Sequence, residues 1–71
     1  MSDFFMLTES LHGDEGEGKL LVIGRSRSLS QLKKRRDEIF QIRVEKPLFG
    51  KMTKEQIEQM NEDLRIWNLV A

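Results

Sequence analysis

At 71 residues the chain is long enough for one domain and too short for two cores that fold without metal or disulfide. It has no cysteine, which excludes disulfides and thiolate metal sites and points to a reducing compartment, with the cytoplasm as the default. Its twelve basic and twelve acidic side chains cancel, but they are segregated. Residues 1–18 carry Asp3, Glu9, Asp14, Glu15 and Glu17 with no cation, a net −5; residues 19–46 are +6; the remainder is −1. An acidic edge beside a basic centre favours oriented docking over bulk attraction to polyanions. The start of the chain lacks the cationic and apolar regions of a signal peptide, and no apolar run approaches the ~20 residues of a membrane span. A soluble protein, neither exported nor membrane-bound, is therefore expected.

In chain order, Phe4-Phe5-Met6-Leu7-Thr8 reads as a strand, the glycine-rich segment 11–18 as a turn, and Lys19-Leu20-Leu21-Val22-Ile23-Gly24 as a second strand. Together they predict an acidic antiparallel hairpin over residues 3–24. Both strands are apolar on consecutive residues, so Phe4 and Met6 point away from Phe5 and Leu7, and Leu20 and Val22 away from Leu21 and Ile23. A one-sided antiparallel sheet would alternate apolar with polar. Two helices have to cover both faces, or another molecule covers one of them.

Ser28-Leu29-Ser30-Gln31 is a capping-box helix start, predicting a basic helix over 28–40 whose inward positions are Leu29, Leu32, Arg36, Ile39 and Phe40. Phe40-Gln41-Ile42-Arg43-Val44-Glu45 then alternates apolar with polar, which predicts a third strand over 40–46. The alternative is one helix running to Lys46, because no Gly, Pro or Asn interrupts the chain between Gly24 and Pro47. Residues 47–52 form a loop opened by Pro47. Thr53-Lys54-Glu55-Gln56 is a second capping box, and Ile57, Met60, Leu64 and Trp67 fall on one helical seam, predicting a helix over 53–70. The expected fold is a small α+β domain of order ββαβα, with ββαα as the alternative.

The chemistry-bearing residues are few. His12 with Asp14, Glu15 and Glu17 has no metal-loop spacing, and the glycines explain the segment as a turn. One histidine, no cysteine, no tyrosine and serines without a base nearby give no catalytic set. Gly13, Gly16 and Gly18 precede a strand rather than a helix and are no phosphate fingerprint. No enzyme, cofactor or metal is expected. Arg25, Arg27, Lys33, Lys34, Arg35 and Arg36 invite comparison with a nucleic-acid patch, but four consecutive cations spread around most of a helix, and Lys33 and Lys34 have Asp37 and Glu38 one turn on. The aromatics that stack on single-stranded bases are not interleaved with these cations in sequence.

The expectation is thus a non-enzymatic protein-interaction module, of accessory, adaptor or inhibitor type, binding an unidentified protein partner or a second copy of itself. An open sheet face or the C-terminal helix supplies its apolar centre through Phe4, Met6 and Trp67, and Arg25, Arg27, Lys33, Lys34 and Arg35 form a basic rim. Nucleic-acid binding through the segment from Arg25 to Arg36 is the alternative.

Overall fold

The computed structural model describes residues 4–13, 18–48 and 50–69. Strands β1 (Phe4–Ser10) and β2 (Leu20–Ser26) form the expected antiparallel hairpin, closed by a backbone bond from Leu11 N–H to the Lys19 carbonyl at 3.0 Å. Helix α1 spans Leu29–Glu45, helix α2 spans Lys54–Asp63, and β3 (Leu64–Leu69) pairs antiparallel with the other side of β1. Among the described residues three strands and two helices make the expected small α+β domain. The chain order is ββααβ and the sheet order β2-β1-β3.

The third strand therefore lies at 64–69 and not at 40–46. α1 continues to Glu45, and the Lys46 N–H closes its last turn on the Ile42 carbonyl at 2.8 Å. The alternation in 40–45 is real, and Ile42 is left 58% exposed by the helix. What outweighs it is Arg43, which from this last stretch of helix makes a two-pronged ion pair with Glu9 of β1, Nη2 to Oε1 at 2.9 Å and Nη1 to Oε2. The second edge of β1 is taken by β3, so a strand at 40–46 would have only the outer edge of β2 left to pair with.

The helix expected over 53–70 likewise stops at Asp63. Ile57, Met60, Leu64 and Trp67 fit a helical seam, but Leu64-Arg65-Ile66-Trp67 fits a two-residue period equally well. Local spacing cannot choose between them. The unpaired backbone of β1 does, because its N–H and C=O groups need partners, and the strand buries Leu64 opposite Glu9 and sets Ile66 opposite Leu7.

Both predicted caps form. Thr53 and Gln56 make a full capping box at 3.1 and 2.9 Å. At α1, Ser28 Oγ accepts from Gln31 N–H at 3.4 Å, while the Gln31 side chain turns to the Ser26 hydroxyl instead of reaching back. The end of α2 has no glycine. Its last turn is closed from outside by Arg36, whose Nε donates to the Leu64 carbonyl at 2.9 Å and whose Nη2 donates to the Asn61 carbonyl and Oδ1 at 2.7 and 2.8 Å. The inward cation of α1 thus satisfies carbonyls left over where helix becomes strand.

The core is small. Among the described residues its buried apolar members are Leu7, Leu32, Met60 and Leu64. Gly24, paired with Leu7, lies under Leu32 of α1, and a Cβ built there would stand 3.7 Å from Leu32 Cδ2, an ordinary contact.

Candidate functional site

Strand alternation puts Phe5, Leu7 and Glu9 on one side of β1 and Phe4, Met6, Thr8 and Ser10 on the other. The helices occupy the first side. Leu32 lies over Gly24, Gln31 bonds Ser26 (the neighbour of Phe5), Arg43 holds Glu9, and Gln56 of α2 shares a cavity wall with Glu9 and Arg43. Neither helix reaches the second side.

The rows of that open side follow from the register. Arg25, Met6 and Trp67 lie side by side across the three strands; Val22, Thr8 and Arg65 form the next row; Phe4 faces Leu69, and Ser10 faces Leu20. A bulge between Leu7 and Thr8 shifts the β2 register by one residue at Ile23 and keeps Val22 and Arg25 on this same side. Leu20, Val22 and Leu69 are 49%, 44% and 40% exposed. At its centre the Trp67 indole N–H donates to Thr8 Oγ1 at 2.8 Å, and the Arg65 guanidinium stacks over the indole with its carbon 4.6 Å from the ring centre. Thr8 is fully buried beneath this lid, its hydroxyl partnered. Among the described residues the face carries two arginines and no carboxylate.

Phe4 and Met6, expected together on the first strand, and Trp67, expected on the C-terminal helix, are therefore on adjacent strands of one surface, with Arg25 in the row of Met6 and Trp67. Trp67 reaches it from β3 and not from a C-terminal helix. The other cations are elsewhere. Arg27 lies exposed in the turn before α1, and Lys33, Lys34 and Arg35 are exposed on α1, across the sheet from Arg25. Among the described residues the ion pairs within this helix are Arg35 with Glu38 and Arg36 with Asp37, both at 3.9 Å, and none joins Lys33 or Lys34 to Asp37 or Glu38. Sequence reading missed Arg65 and Leu69 as members of the face. Their signal was the alternation Arg65, Trp67, Leu69, hidden by the helical seam it overlaps.

His12 Nε2 lies 2.8 Å from Asp63 Oδ1, tying the end of β1 to the end of α2. The acidic residues considered with it, Asp14, Glu15 and Glu17, lie outside the described residues, among which no group of three or more His, Asp or Glu is placed to hold a metal ion. An open cavity of about 440 Å³ sits between the end of α1, the following loop and the start of α2. Its charged lining is the Glu9–Arg43 pair and Lys46. Bonding to Glu9 raises the Arg43 guanidinium above its already high ordinary pKa, burial opposes this, and the Glu9 charge adds to the rise. Among the described residues no helix is long and apolar enough to cross a membrane.

Comparison of the chain with protein-family models, curated proteins and solved structures finds no match.

Proposed function

We propose that the protein is a non-enzymatic protein-interaction module that uses its helix-free sheet face, and that the cytoplasm is where it acts. The observation that carries this reading is the row Arg25–Met6–Trp67 with Phe4, Leu20, Val22 and Leu69 around it. Tryptophan, phenylalanine, methionine and arginine are the side chains enriched at protein contacts, and a central Trp braced by Arg is the usual form of an energetic anchor. Arg25 and Arg65 supply orientation, while the apolar side chains supply the area removed from water.

A random-peptide display selection tests it, run on the wild-type chain and counter-selected on a Val22→Asn/Leu69→Asn variant that keeps the fold. Enriched ligands that bind the first and not the second are expected. A selection that enriches nothing, or only ligands indifferent to the two substitutions, overturns the reading.

Nucleic-acid binding is the second reading, and one observation favours it: Phe4 and Trp67 share a sheet face with Arg25 and Arg65, the mix of aromatics and cations that single strands stack on. Arg65 already covers the indole, however, and aliphatic side chains dominate the face. A salt titration with a fluorescent oligonucleotide separates the two, since strand binding near 50 mM salt has to weaken steeply as salt rises.

A further inference from the structure

Docking on the open face leaves part of β2 unaccounted for. Leu21 points to the helix side, opposite Glu9, and is nevertheless 49% exposed. The cause is the path of α1, which covers β2 near Ser26 and Gly24 and then crosses to Glu9 of β1. Leu20 and Val22 are bare on the other side, so three consecutive apolar residues leave both faces of β2 exposed at one place. β2 is also an edge of the described sheet, and its outer backbone groups face no strand. Monomeric proteins guard such an edge with charges or proline. The other edge, β3, carries Arg65 within it, whereas Leu20–Gly24 has neither guard. An occupant lying flat on one face leaves Leu21 and the backbone edge in water; an added strand covers both.

Charge along the sequence selects the strand. The segment leading into β2 holds Asp14, Glu15 and Glu17 against Lys19, a net −2. The opposite end holds Arg25 and Arg27, and four more cations follow before the next carboxylate, Asp37. Asp3, which precedes Phe4 at this same end of the hairpin, leaves it basic. The edge is therefore acidic at one end, apolar in the middle and basic at the other. A parallel copy meets like charge at both ends, and a strand acidic at both ends meets it at one. An antiparallel copy meets opposite charge at both. The apolar stretch is self-complementary as well. Antiparallel pairing centred on Leu21 sets Leu21 against Leu21 and Leu20 against Val22, and it carries Arg25 and Arg27 past Lys19 to the level, counted in residues, of Glu17 and Glu15.

We infer that the protein forms a two-fold dimer through β2, each copy adding its edge strand antiparallel to the other's, so that two three-stranded sheets become one of six. The inference goes beyond the interaction reading above, because it uses the edge of the sheet and not its open face. A two-fold axis normal to the sheet keeps both helix layers on one side and both open faces on the other. The two Arg25–Met6–Trp67 rows then belong to one surface of double width. Since α1 covers β2 only toward its arginine end, the covered end of each copy lies beside the bare end of the other.

Two charge variants test it, Arg25→Glu/Arg27→Glu, acidic at both ends, and Glu15→Lys/Glu17→Lys, basic at both. In sedimentation equilibrium the wild type is expected to be a dimer whose dissociation constant rises at least about threefold between about 50 and about 500 mM sodium chloride. Each variant alone should dimerise at least about tenfold more weakly. Mixed in equal amounts they should recover the wild-type affinity as a heterodimer, a rescue that misfolded chains cannot give. Leu21→Lys should leave a monomer with native Trp67 fluorescence, and amide exchange in the wild type should slow at alternate residues of Leu20–Gly24 as concentration rises. A wild type that stays monomeric up to about 1 mM, a dimer that tightens with sodium chloride, variants that do not recover on mixing, or concentration-dependent protection on β3 in place of β2 overturns it. If the chain stays monomeric while the display selection yields ligands dependent on Val22 and Leu69, the dimer falls and the open-face module stands. If the dimer behaves as described and the selection comes back empty, the module falls and the dimer stands.

Discussion

At the scale of single residues, the contact between Trp67 and Thr8 does two things: it hides a threonine completely and holds an indole flat on an otherwise open face. Thr8→Val keeps the shape and removes the acceptor. The indole N–H then has to find water or stay unpaired, so a loss of about 1–2 kcal/mol is expected in urea unfolding, whereas Thr8→Ser keeps the acceptor and costs the buried methyl, about 1 kcal/mol. Trp67 is the sole tryptophan, so its fluorescence reports the same change directly. Arg43 illustrates a different point. Its folded-state pKa is raised, so the stability contributed by its charge is present at every pH below its ordinary value and is lost only as pH climbs through the higher folded one. Raising the pH to about 10, where lysines begin to titrate, should leave the advantage of wild type over Arg43→Gln unchanged.

At the scale of elements, the junction between α2 and β3 depends on a side chain from α1. Replacing Arg36 by Leu leaves the Asn61 carbonyl to water and strands the part-buried Leu64 carbonyl, and a loss of about 1–2 kcal/mol is expected. Amide exchange should quicken in β3 before it does in β2. Arg36→Lys recovers only part, because an ammonium cannot fork between three acceptors. Gly24→Ala has the opposite outlook: the added methyl meets Leu32 Cδ2 at an ordinary van der Waals distance and reduces the freedom of the unfolded chain. Thermal unfolding should place it at or slightly above wild type. Legibility in the sequence follows the same division. The hairpin, both helix starts and the inward turn of Arg36 were readable, because capping residues and glycines act within a few positions of themselves. The exchange of strand and helix at 40–45 and 64–69 was not. Each segment satisfies both periods, and the choice lies with β1, far away in sequence. The candidate face was half readable for that reason: Phe4 and Met6 declare two-sided strands, but only pairing in space puts Trp67 and Arg65 beside them.

At the scale of the whole molecule, the chain is a thin slab of 44 × 27 × 16 Å, one sheet with one layer of helices. Its radius of gyration of 13.4 Å exceeds the about 11 Å typical of a domain this long. Its accessible surface of 5795 Å² exceeds the about 4,600 Å² expected for its mass. Both departures agree with a sheet covered on one side only. Leu7→Ala, in the covered layer, should cost about 2–5 kcal/mol, whereas Val22→Thr on the open face should stay within about 0.5 kcal/mol. Guanidinium unfolding of the two variants measures the contrast, and equal losses would mean that the open face is packed against something in solution.

The antiparallel pairing of β1 with β3 has a kinetic side as well. The hydrogen bond from Trp67 to Thr8 closes a loop of 59 positions, and every rung of that ladder waits until both helices lie between its two strands. The hairpin and α1 are local and can form early, but the centre of the sheet is sealed last. Relaxation on the millisecond scale of non-local β pairing, not the microsecond scale of helical bundles, is the expected pace for so small a protein. Until that moment β1 is itself an open edge, so the rate at which β3 arrives sets how long the newborn chain is open to joining its own kind.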